Sequence, residues 1–107
     1  MALVDERGGP IDAAQAPLSQ EEAADLHAQV RDWTLQEKSL ARDFKFDDFQ
    51  EAMDFVNDVA AIAQREDHHP DIHIFYSKVR LELSTHKIGG LSRNDFIVAA
   101  RIDRLVI

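Results

Sequence analysis

The sequence predicts an α+β domain of order αββαββα, a four-stranded antiparallel sheet with helices packed on one face. Two pairs of adjacent segments alternate apolar and polar residues, and helical periods flank each pair; adjacent strands favour hairpins over the singly alternating strands and helices of a parallel α/β fold. A chain of 107 residues has room for one hydrophobic core and not two. It contains no cysteine, so that core forms without disulfides, and thiolate zinc sites, thiolate-held iron–sulfur clusters and cysteine nucleophiles are excluded.

Residues 1–17 carry Gly8-Gly9-Pro10 and Pro17 with no sustained period, and read as a mobile leader ahead of a domain spanning 18–107. Ser19 followed by Glu22 forms a capping box, in which two side chains satisfy two orphan amides at a helix start. Ala23, Leu26 and Val30 then mark one helical face. Trp33 and Leu35, then Leu40, Phe44 and Phe46, fit the two-residue period of strands, with a hairpin turning near Glu37–Ser39. Asp47 with Gln50 predicts a second cap, and Phe49, Met53, Val56 and Ala60 a core stripe at helical spacing. That helix ends before Pro70, because the residue preceding proline is pushed out of the α region.

Ile72 and Ile74, then Val79, Leu81 and Leu83, predict a second hairpin turning near Tyr76–Lys78. Gly89-Gly90 reads as turn geometry rather than a phosphate cradle, since no Lys-Ser or Lys-Thr follows. Ser92 with Asp95 caps a last helix carrying Phe96, Ile97, Ala99, Ala100 and Leu105. Its apolar residues spread around more than one face, which predicts that part of it closes a subunit interface.

A net charge of −8 is unsuited to tracking a phosphate backbone, so direct nucleic-acid binding is disfavoured. The acidic start, Asp5-Glu6, does not read as a secretory signal, and no segment approaches the roughly 20 apolar residues of a membrane span. The expectation is a cytoplasmic protein without membrane attachment.

Of five histidines, four (His68, His69, His73 and His86) lie between positions 68 and 86. A hairpin turning near Ser77 brings the loop pair His68-His69 back toward His86. Three readings compete. The histidines are solvated loop residues; they hold a metal together with Asp67 or Asp71, though without the two-histidine spacing of the familiar helical motif; or they perform acid–base chemistry. Imidazole ionises near pH ~6.5, so one ring can donate while another accepts, with no cofactor. His73 alternates with Ile72 and Ile74 and faces solvent, while His27 lies on the polar side of the first helix.

The run Asp67-His68-His69-Pro70-Asp71, then Tyr76-Ser77-Lys78-Val79, Leu83-Ser84-Thr85-His86, Gly89-Gly90-Leu91-Ser92 and Asp95 resembles the signature of the pterin-4a-carbinolamine dehydratases. Phe44-Lys45-Phe46-Asp47-Asp48-Phe49 and Glu51-Ala52-Met53-Asp54-Phe55 extend the resemblance to roughly residues 19–107. It implies a reaction that removes water from a 4a-hydroxytetrahydropterin, the product of aromatic amino-acid hydroxylation, to give the quinonoid dihydropterin. By resemblance His68, His69 and His86 are catalytic, His69 orienting the pterin while His68 and His86 act as acid and base. Gln64, Asp67, Pro70, Thr85 and Asp95 are the residues expected against the substrate. Gln64 stands where the family often has Glu, Asp67 where Asn is frequent, and Ile72 and His73 where aromatic residues are common. Relatives form dimers and tetramers, so a homodimer or homotetramer is expected, and an aromatic amino-acid hydroxylase is the expected pathway partner. Some relatives act instead as dimerisation cofactors of a homeodomain transcription factor or as assembly factors, so a non-catalytic module of the same fold is the alternative.

Overall fold

A computed structural model describes residues 2–106. Helix α1 (Gln20–His27) is followed by β1 (Thr34–Leu35), β2 (Leu40–Lys45), α2 (Phe49–Glu66), β3 (Asp71–Phe75), β4 (Lys78–Leu83) and α3 (Arg93–Asp103). Short 3₁₀ turns sit at Leu3–Asp5, His86–Ile88 and Arg104–Val106. The strands form one antiparallel sheet in the order β1-β2-β4-β3, so the αββαββα order and the antiparallel sheet match the sequence reading.

Alternation along the strands decides which sheet face is covered. Val79, Leu81 and Leu83 are fully buried, and their cross-strand partners are Phe44, Arg42 and Leu40 on β2. Burying each such aliphatic side chain stabilises the fold by about 1.5–3 kcal/mol. The opposite face is ionic: Arg80 donates to Asp43 and Glu82, and His73 pairs with Arg80 across β3–β4 and is exposed, as its alternation predicts.

Several details depart from the sequence reading. Helix α2 is capped one residue later than Asp47 and Gln50 indicate: Asp48 Oδ1 accepts the Glu51 N–H at 2.8 Å, and Glu51 Oε1 accepts the Asp47 N–H. The buried stripe is Ala52, Phe55, Val59, Ile62, Ala63 and Glu66, while Phe49 stays 48% exposed and Ala60 is also exposed. Apolar residues occupy two adjacent stripes of α2, and the Phe55 stripe faces inward because its ring meets Phe44 and Phe46 at 4.6 and 5.0 Å. His27 is tied rather than solvated: its Nε2–H donates to the Trp33 carbonyl at 2.6 Å, fixing the end of α1 to the start of β1.

Helix α3 leaves little surface for a subunit contact. Asn94 through Ala100 and Ile102 are all buried within the chain, covered by α1, α2 and the Leu3–Asp5 turn. The apolar surplus expected to close an interface is consumed internally, and beyond it, among the described residues, Leu105 and Val106 remain exposed, while Ile107 lies outside the described residues. Part of the cover comes from residues a mobile leader gives no reason to bury. Leu3 is fully buried in the core, and its N–H donates to Gln29 Oε1 at 2.9 Å.

The site end of the molecule is set by two left-handed residues. Asp67 ends α2 at φ 50°, and the His68 N–H closes back on the Ala63 carbonyl. Asp tolerates this conformation better than most residues. Gly89 at φ 72° closes the turn after His86, a conformation suited to glycine.

Candidate active site

The register Asp71↔Glu82 places the loop 67–70 beside the segment 84–86 that leaves β4. His68 and His69 come from the first segment and His86 from the second, and all three border one cavity of about 590 Å³. That size is ordinary for a small-molecule site. The sheet hairpin therefore brings together the three histidines that the sequence pairs with chemistry, and leaves His73 on the other sheet face and His27 far off at the end of α1.

His68 is the most constrained of the three. Its Nε2 lies 2.5 Å from Asp95 Oδ1, and the Asp95 carboxyl is wholly buried. A carboxylate only accepts, so the His68 Nε2 carries the proton and the ring's Nδ1 is left as the acceptor. The second Asp95 oxygen accepts from the Ser92 N–H at 2.9 Å and from the Thr85 hydroxyl at 2.7 Å. Thr85 has one hydroxyl proton and gives it to Asp95, so the Ser92 hydroxyl donates to Thr85 across their 2.7 Å contact. A buried carboxylate is tolerable only when its lone pairs are satisfied in this way. Asp95 thus caps α3, ties it to the strand end and orients the imidazole.

His69 is held differently. Its Nε2–H donates to Gln64 Oε1 at 2.6 Å on the exposed side of the α2 terminus, a neutral contact where a glutamate would have placed charge. His86 is exposed on the cavity rim, at the start of the 3₁₀ turn.

Of the residues expected against substrate, Asp67 and Thr85 border the cavity. Asp95 stands behind His68, Gln64 behind His69, and Pro70 is half-buried at the entry to β3. Residues the sequence reading missed also line the space: Arg65, Glu66, Lys87, Asn94 and Gly8, Gly9, Pro10 and Ile11. Glu66 carried a readable signal, since it continues the buried Val59–Ile62–Ala63 stripe. Among the described residues no group of three or more His, Cys, Asp or Glu side chains is arranged to hold a metal ion, and no helix is long and apolar enough to cross a membrane.

Comparison with known proteins shows the family and the fold. The family model for pterin 4 alpha carbinolamine dehydratase matches residues 16–105. A proposed pterin-4-alpha-carbinolamine dehydratase of Nitrosospira multiformis is 50% identical over 96 residues, covering 90% of this chain and 85% of its own. A protein of the same description from Nitrosomonas eutropha is 43% identical over 106 residues, covering 98% and 94%. Among solved structures, one from Brucella melitensis described as a transcriptional coactivator/pterin dehydratase superposes with a TM-score of 0.80 at 27% identity, covering 85% of this chain and 99% of that one. A pterin dehydratase-like protein identified as a RuBisCO assembly factor in the alpha-carboxysome shares the fold, with a TM-score of 0.57 at 17% identity over 88% and 93% of the two chains. The chain belongs to the pterin 4 alpha carbinolamine dehydratase family.

Proposed function

We propose that the protein is a 4a-hydroxytetrahydropterin dehydratase that works by histidine acid–base catalysis without a cofactor. The reaction breaks the bond between C4a and its hydroxyl, removes the proton from N5, and forms the C4a–N5 double bond; one acid and one base complete it, and water leaves. His68 suits the base. Its Nε2–H is fixed on Asp95, so Nδ1 is the nitrogen free to take the N5 proton, and the ring cannot rotate without breaking a charge-assisted hydrogen bond. His86, on the opposite segment of the cavity wall, delivers a proton to the departing hydroxyl. His69, steadied by Gln64, orients the pterin. Solvent then returns the proton from His68 to His86. Positioned proton transfers of this kind contribute roughly 10²–10⁴-fold each.

The observation that carries this reading is the hydrogen bond from cavity-lining His68 to the wholly buried Asp95 carboxylate behind it. The fold is shared with an assembly factor, so fold alone does not select catalysis, whereas a binding module has no need of an imidazole held in one tautomer. In this reading the protein acts in the cytoplasm as a homodimer or homotetramer, with the exposed Ile74, Phe75 and Tyr76 at the β3 edge available for contact. It consumes the hydroxypterin that an aromatic amino-acid hydroxylase releases. The decay of freshly generated 4a-hydroxytetrahydropterin tests the assignment: wild type accelerates it, and His68→Ala and His86→Ala each lose most of the acceleration. Full activity in both variants would refute these roles.

A further inference from the structure

Part of the cavity wall is not accounted for by the reaction. Gly8, Gly9, Pro10 and Ile11 border the same space as the histidines, yet they precede residues 16–105, which match the family. Side chains from α2 and α3 hold this stretch in place. The Gly8 N–H donates to Glu66 Oε1 at 3.1 Å; Asn94 accepts the Gly9 N–H at 3.2 Å and donates to the Gly9 carbonyl at 2.8 Å. Arg101 donates to the Glu6 carbonyl at 2.5 Å, and Arg93 forks onto the Glu6 carboxylate at 2.7 and 2.6 Å. A Cβ at position 8 would stand 3.1 Å from Asn94 Oδ1, so glycine permits the close approach.

Two of these clamps are tied to the catalytic residues through their own elements. Glu66 is in the last turn of α2, just before His68, and Asn94 immediately precedes Asp95. The Glu66 side chain is only 2% exposed; its Oε2 has no hydrogen-bond partner and lies 3.7 Å from Arg101 Nε. A carboxylate kept in the inner stripe of a helix is costly unless it is used, and here it is used to hold the backbone at Gly8.

We propose that Gly8–Ile11 is a substrate-selecting wall of the catalytic cavity, discriminating among 4a-hydroxytetrahydropterins by the substituent on ring carbon 6, with Ile11 as the selecting side chain and Asn94 as a positioning residue. The proposal rests on the dehydratase reading. The histidines fix the place of C4a, so the wall meets parts of the substrate away from the reacting carbon, and among pterins the ring substituent is the part that varies. Ile11 is half-buried and makes no side-chain hydrogen bond, so changing it alters the shape of the cavity without breaking the clamps.

The test compares the 6-methyl substrate with the 6-(1,2-dihydroxypropyl) substrate. Ile11→Ala is expected to raise, and Ile11→Trp to lower, the kcat/KM ratio of the larger over the smaller substrate severalfold; a methylene-scale change in a pocket is worth about 10-fold or more when fully felt. Asn94→Ala, which frees Gly9, shifts the ratio in the same direction as Ile11→Ala, through KM rather than kcat. Dissociation constants of the matching 7,8-dihydropterins, measured on the same variants, read the wall without turnover. If wild type turns over neither substrate, the catalytic reading fails while the ratio of dissociation constants still decides the wall. Ratios within about twofold of wild type in all three folded variants overturn the proposal.

Discussion

The wholly buried Asp95 carboxylate stands 2.5 Å from His68 Nε2 and accepts at the same time from Thr85 and Ser92. One carboxylate therefore caps α3, closes the end of the sheet and fixes the tautomer of a cavity histidine. Asp95→Asn keeps the shape but can present an N–H to His68, turning the ring or changing its tautomer. We expect kcat to fall by about 10²-fold or more, within the range ascribed to positioned acid–base groups, with KM changing much less. Steady-state kinetics at neutral pH, with circular dichroism to confirm folding, check this; an unchanged kcat would remove Asp95 from the catalytic account.

Leu3 provides a thermodynamic check on the packing of residues 2–11 against the domain. Its side chain is fully buried in the main core, so Leu3→Ala removes apolar contacts and leaves a cavity, at a cost of about 2–5 kcal/mol. Urea denaturation measures the loss. A change below about 0.5 kcal/mol would mean that residues 2–11 do not spend their time on the domain.

Asp103 gives a pH signature. Burial pushes its carboxyl above the ordinary 3.8, against the pull of the Trp33 indole N–H and of Arg42. The folded state then holds the proton more tightly than the unfolded one, so this group favours folding fully below pH 3.8 and loses that contribution as pH rises through its raised folded pKa. Asp103→Asn has no such titration. Thermal or urea unfolding from acid to neutral pH should show the stability difference, wild type minus variant, shrinking as pH rises. A difference that grows across the same range contradicts the assigned direction.

Much of this was readable in the residues. Strict alternation at Val79-Leu81-Leu83 fixed β4 because a one-residue slip would expose all three. The His-His-Pro and Thr-His segments were legible as neighbours because the hairpin between them folds one back beside the other. Helix α2 was found but rotated, since Phe49 and Val56 are as apolar as Phe55 and only the tertiary contact with Phe44 chooses between stripes. The burial of α3 was misjudged because its cover includes Leu3, a single apolar residue with no periodicity to announce it. The helical period marks Glu66 as a buried position but not what it and Asn94 hold: their partners are backbone groups of Gly8 and Gly9, and local sequence patterns do not encode contacts to distant backbone.

Histidine acid–base dehydration is tested most directly by the pH–rate profile for dehydration of freshly generated 4a-hydroxytetrahydropterin, from about pH 6 to 9, where imidazoles change charge. It is run with wild type, His69→Ala and His86→Ala. Wild type is expected to accelerate the reaction to a degree that varies across this range, and His86→Ala to lose about 10²-fold of that acceleration while the variants stay folded. No acceleration by folded wild type, or acceleration unchanged in both variants, would contradict it and leave a protein that shares the fold without the chemistry.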